Sequence, residues 1–219
     1  MDDNRPTADG SSAADGRLAA VAGLLAGGLG FAAVFGLTAV RQSGRADETD
    51  FADAVAAAFG PDAGRVLSGL ADWLEPDPTQ VVAWFTYASH RIPLQVDAEA
   101  FGNAVHRTVD VQSLSVWDGA LASLPPVVLV AAGVAVVALA GVDRLSRAWQ
   151  PGLALATGYV AAALLALRVA GYERDLGVAS LTVAPEPSTV ALHTAAYALV
   201  FGLGGALAAA VAQSALGDD

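Results

Sequence analysis

The chain reads as an all-α membrane protein with four transmembrane helices and a small helical domain inserted between the first two. Two observations predict this. Four apolar runs, at 18–40, 121–142, 152–172 and 190–211, are almost free of charge. Each meets the roughly 20 residues that a helix needs to cross a hydrocarbon core about 30 Å thick. The segment between the first two runs has ordinary amphipathic character, with twelve acids against four Arg over 42–120. Lipid offers the backbone no hydrogen-bond partners, so runs of the first kind become helices.

Residues 1–17 are small, polar and acidic, with Gly10, Ser11 and Ser12 among Asp2, Asp3, Asp9 and Asp15, and are expected to be a disordered tail. The run 18–40 is too long for the apolar part of a secretory signal, and no small-x-small cleavage site follows it, so it is expected to stay as an anchor. Within 41–120, Phe51, Val55 and Phe59 recur at every fourth residue until Gly60-Pro61 stops the pattern, and Val66, Leu67, Leu70, Trp73 and Leu74 make a second stripe. Asp77-Pro78 supplies an N-cap and a first-turn proline for a third helix, with Val81, Trp84, Phe85 and Ala88 on one face. Residues 92–96 suit a short extended segment. Asp97 is expected to cap a fourth helix carrying Phe101, Val105 and Val109.

Trp117, Asp118 and Pro125-Pro126 mark the return to the membrane, and the short link 143–150 predicts an antiparallel hairpin of spans two and three. Trp117, Trp149 and Tyr172 stand where interfacial aromatics belong. The last loop, 173–189, contains Pro185-Glu186-Pro187 and is expected to have little regular structure; 212–219 forms a short tail. Arg17, Arg144 and Arg147 place the termini on the cytoplasmic side, against Arg41 and Arg45 at the start of a loop long enough to cross regardless of charge. The acidic domain is therefore expected outside the cell.

Composition excludes several chemistries. The chain has 219 residues, a net charge of −11, no Cys and no Lys. No disulfide, thiolate nucleophile, Cys-ligated metal, P-loop lysine or Schiff base is available. Nucleic acid is not an expected partner, because phosphate binding needs a basic face. The partners expected are the lipid bilayer and either another membrane protein or further copies of the same chain. Acid excess, absent Lys and abundant Ala, Gly and Val resemble the uncharacterised multi-pass integral membrane proteins of haloarchaea. The likeness lies in composition and layout, so it implies a salt-loving source and carries over no functional residue.

The candidate residues each have a plain reading beside the functional one. Gly23 and Gly27 in span one, and Gly202 and Ala206 in span four, are spaced for close helix packing, inside the bundle or against a second subunit. The dinucleotide-like Gly28-Leu29-Gly30-Phe31-Ala32-Ala33 lies within a continuous apolar run, where no strand precedes it. Arg168, His193 and Tyr197 form a candidate intramembrane polar site. Against it, Arg168 is one turn from its span's end and can reach the headgroups, and His193 is one turn into span four. His90, Asp97, Glu99 and His106 match no metal-binding spacing, and Asp47, Glu48, Asp50 and Asp53 fail the calcium-loop pattern. No catalytic, cofactor or metal residue is identified and no cofactor is expected. A non-catalytic membrane subunit or scaffold is the function expected, with a small transporter or channel-like oligomer as the alternative.

Overall fold

The computed structural model describes residues 9–42, 76–100, 103–140, 145–175, 177 and 179–216. Among the described residues, four helices are long and apolar enough to cross a membrane: Gly16–Gln42, Gly119–Ala140, Ala148–Ala170 and Pro187–Ala215. By length and composition this is a multi-pass membrane protein. Helix α1 (Asp9–Gln42) starts well before its apolar run, so the tail expected over 1–17 is helical from Asp9 onward. After it come α2 (Pro78–Ser89), strands β1 (Leu94–Ala100) and β2 (Asn103–Val109), and two 3-10 turns (Val111–Ser113, Gly119–Ser123). Helix α3 (Leu124–Ala140) and helix α4 (Leu145–Ala170) follow, then strands β3 (Tyr172–Asp175) and β4 (Ala179–Pro185). The last span is α5 (Pro187–Tyr197) and α6 (Gly204–Leu216), joined by a π-helical segment, Ala198–Leu203.

The fold is not all-α. β1–β4 form an antiparallel sheet in the order β2-β1-β4-β3. The helix expected from Asp97 is instead a β-hairpin. Its marker residues Val105 and Val109 lie in β2 and are spaced by four, which is also an even number, so the same spacing lines one face of a strand, while Phe101 lies outside the described residues. Over 94–99 the alternation of Leu94, Val96 and Ala98 with Gln95, Asp97 and Glu99 is the decisive signal. The loop after span three is also ordered: β4 pairs residue for residue with β1, from Leu94↔Pro185 to Ala100↔Ala179. Gly177, with φ 77°, makes the β3–β4 turn, and its N–H is bound by Asp175 Oδ1 at 2.7 Å. The two helices expected over 51–74 lie outside the described residues.

In the bundle, α4 packs most extensively along α1, and α3 packs along the last span; α3 and α4, although consecutive, touch far less. The reason is glycine. A Cβ on Gly27 would lie 2.0 Å from the Leu155 carbonyl oxygen, and one on Gly158 would lie 2.1 Å from that of Leu24. A Cβ on Gly133 would meet the Gly202 oxygen at 2.2 Å. Backbones this close exclude any side chain, so dispersion contact between helices replaces the hydrophobic drive that lipid does not supply.

α2 is short but buried nearly all round, from Val81 and Ala83 to Ser89. It packs on α1, α4 and the two 3-10 turns, closing the end of the bundle that faces the sheet. Its N-terminus is a capping box: Asp77 accepts from Thr79 N at 2.7 Å and Gln80 Oε1 accepts from Asp77 N at 2.9 Å. Tyr172, two residues past the end of span three, is buried beside Trp84, and Trp117 stacks on Phe85 at 6.0 Å.

Candidate functional site: a buried histidine at the mouth of the bundle

The local fold at the end of α2 aims His90 into the bundle. Ile92 N–H donates to Tyr87 O at 3.1 Å and Arg91 N–H to Ala88 O at 2.8 Å, the two bonds of a Schellman motif. Its left-handed position, usually glycine, is held by Arg91 at φ 60°. That conformation costs an L-residue about 1–2 kcal/mol. The turn ends α2, reverses the chain into β1, and leaves His90 as the helix's C-cap, fully buried.

Two side chains of α2 and its C-cap His90 tie it to span three. Trp84 Nε1–H donates to Ala170 O at 2.7 Å, Tyr87 Oη–H to Ala163 O at 2.7 Å, and the His90 Nε2 pairs with Tyr159 Oη at 2.6 Å. Tyr159 is eleven residues inside the end of its span, Phe31 eleven inside α1 and Tyr197 ten inside span four. At 1.5 Å per residue these lie about 16 Å along the helices from the cap end. Phe31 meets the Tyr159 ring edge-on at 5.5 Å, and Tyr197 lies 5.4 Å from the His90 ring.

The hydrogen bonds assign the protons. Thr86 O can only accept, so His90 Nδ1, 2.8 Å away, carries the hydrogen. Nε2 then accepts, and Tyr159 donates. Ser89 Oγ donates to the same Thr86 oxygen at 2.6 Å. The imidazole is thus neutral, and burial pushes its pKa down to about 4, against a smaller upward effect of the Thr86 bond. Burial also pushes the Tyr87 phenol up. His193 Nδ1–H donates to His90 O at 3.2 Å. Both ring nitrogens of His90 are therefore committed, and the cluster is a locked, uncharged network rather than a ready base or metal ligand.

Of the residues singled out from the sequence, His193 and Tyr197 meet here, around His90. Arg168 does not join them. It is exposed on the last turn of α4, nine residues from Tyr159 and so on the opposite side of that helix. Among the described residues no ion pair joins it to Glu173 or Asp175. Gly23 and Gly27 lie against Pro151 and Leu155 of α4, and Gly202 and Ala206 against Gly133 of α3. Of His90, Asp97, Glu99 and His106, only Asp97 and His106 meet, as hydrogen-bonded partners across β1 and β2. Among the described residues no group of three or more His, Cys, Asp or Glu is placed to hold a metal.

Sequence reasoning missed Phe31 and the pairing of Tyr159, a polar residue at membrane depth, with His90, because nothing local distinguishes an aromatic aimed at a histidine 69 residues away from one facing lipid. It also missed Thr38 and Gln42, which are buried on α1 with Thr38 Oγ1 and both Gln42 amide atoms unpaired. Nearby, Arg41 is bound by Asp118 at 2.7 Å beside a cleft of about 500 Å³ walled by Leu37, Val40 and Leu124.

The chain belongs to a family of unknown function, DUF7978, whose model matches residues 1–213. No curated protein and no solved structure matches it.

Proposed function

We propose that this protein is a non-catalytic membrane subunit or scaffold, a rigid four-helix anchor that presents the sheet at one surface of the bilayer. The observation that carries the reading is the closed interior. Leu129 and Leu155 both reach Gly202 at the centre of the bundle, Phe31 packs on Tyr159, and α2 covers the mouth. The polar groups of the His90 cluster are spent on one another, which leaves little to line a path for a solute. The sheet, in contrast, offers exposed polar side chains such as Glu99, Thr108 and Asp175 to a partner.

Purification from the native host in mild detergent at high salt, followed by mass spectrometry, tests this. A stoichiometric partner protein is the expected result. Its absence overturns the subunit reading, whatever the number of copies of this chain that purify together. The transporter reading draws on His193 and Tyr197 beside the buried His90. Its measurement is solute or proton flux in proteoliposomes, abolished by His193→Leu without loss of assembly. We also place the termini in the cytoplasm and the sheet outside, from Arg17, Arg144 and Arg147. Single Cys residues at Ser68 and Ser146 should then react with an impermeant maleimide from opposite sides.

A further inference from the structure

The sheet is rooted at one end in the membrane spans. β3 begins two residues after span three ends, and β4 ends two residues before span four begins. Leu94 and Val109 share that membrane-proximal end, while Ala100 and Asn103 form the far tip. A sheet rooted in this way leads away from the membrane, which turns its outermost strands, β2 and β3, sideways. Both are exposed: Ala104 to Thr108 in β2 and Glu173 to Asp175 in β3. Natural edges are guarded by shortness, charge, Pro or a bulge. Here neither edge strand has Pro and both registers run without a skipped residue. Charge is the guard, with Glu173, Arg174 and Asp175 on the short β3 and His106 and Arg107 on β2, so only an edge of complementary charge can pair.

The membrane decides which edges can meet. Copies in one bilayer share an orientation, so their symmetry axis lies along the normal. β3 runs away from the membrane and β2 runs toward it. β2 on β2, or β3 on β3, would pair in parallel and break the antiparallel ladder. β3 of one copy on β2 of the next is antiparallel. Four strands is an even number, so a level register also continues the alternation of narrow and wide hydrogen-bonded pairs across the junction.

We propose that copies of this chain join edge to edge, β3 of one against β2 of the next, in this level register. Side chains agree with it. The row Glu173–Thr182–Asp97–His106 runs across each sheet. Extended into the neighbour, it sets His106 between its own Asp97 and the next copy's Glu173, with the next copy's Asp175 diagonal to it. In the adjacent row, Tyr172–Val183–Val96–Arg107, Arg107 meets the next copy's Tyr172, a buried ring already faced by Trp84 and Arg174, so the attraction comes from the His106 row. One like-charge diagonal, Arg107 with the next Arg174, falls where both guanidinium groups are exposed. Dimensions match as well. Four strands repeat every ~19 Å at about 4.8 Å per strand. Two helices side by side span roughly the same width. The contact is heterologous, so it closes as a ring or continues as a row.

Absence of native Cys makes the test direct. The full-length chain is expressed in membranes as Glu173→Cys, as His106→Cys, and as both single variants together, then treated with oxidant or a short thiol cross-linker. Neither variant alone should form a dimer. The co-expressed pair should give a heterodimer, and a double variant should give a ladder beyond dimer. Asp175→Cys with Ala104→Cys, two rows further from the membrane, should behave alike and carries the test if the first pair fails to fold. No cross-link, while both thiols react with maleimide, overturns the proposal. So does a dimer from one single variant, or capture of a different protein at these thiols.

Discussion

The bundle and the sheet solve opposite problems. In the bundle, the spans approach until backbone meets backbone, and the smallest side chains decide which helices touch. In the sheet, strands are set by hydrogen bonds and alternate faces, and among the described residues the outer strands are exposed along 104–108 and 173–175. Steric exclusion therefore governs the first region and unsatisfied backbone the second. A substitution that adds volume should be severe in one and mild in the other.

The sharpest way to break that contrast is Gly27→Leu. Its side chain has no space beside the Leu155 carbonyl, and overpacking of this kind should cost about 3 kcal/mol or more. Gly28→Ala, one residue along, meets nothing within 4 Å and should be neutral or stabilising by up to ~1 kcal/mol through helix propensity. Thermal unfolding in detergent reads both; equal effects would mean that α1 and α4 are not in backbone contact.

The His90 cluster joins the two regions, and acid should expose it. Its folded pKa of about 4 lies below the ordinary 6.5, so as pH falls the unfolded chain takes up the proton first. The stabilisation is complete above 6.5 and is lost between there and about 4. The loss amounts to about 3 kcal/mol. His90→Gln should lack this component, and the difference between the two pH profiles isolates it from carboxylates such as Asp77 and Glu186. Identical slopes would place His90 in water.

Tyr159→Phe should cost about 1–3 kcal/mol, because it leaves the buried Nε2 of His90 without a donor. The double variant with His90→Phe should cost less than the sum, a coupling that a double-mutant cycle measures. Smaller still is Arg91→Gly, which should stabilise by about 0.5–1 kcal/mol by relieving the left-handed Arg while keeping the Schellman bonds. Chemical denaturation resolves that gain, and a loss would mean that the Arg91 side chain contributes more than its backbone costs.

The legible part of this molecule was what one segment carries within itself. Twenty apolar residues in a row mean a membrane-crossing helix irrespective of their neighbours, and Asp77-Pro78 with Gln80 marks a helix start from four adjacent residues. Half of the candidate site was visible in the same way, since His193 and Tyr197 are polar residues inside an apolar run. What the linear chain leaves open is pairing at a distance. Asp97–Val109 satisfies helical and strand spacing alike. Only β4, arriving from beyond span three with Leu181 and Val183, supplies the hydrogen bonds that make β1 the centre of a sheet. His90 reads as one more residue of a polar segment until Tyr159 and Thr86 enclose it. Local periodicity determines element type where burial is uniform; tertiary contact decides it where two periods fit, because the backbone's unpaired groups go to whichever partner arrives.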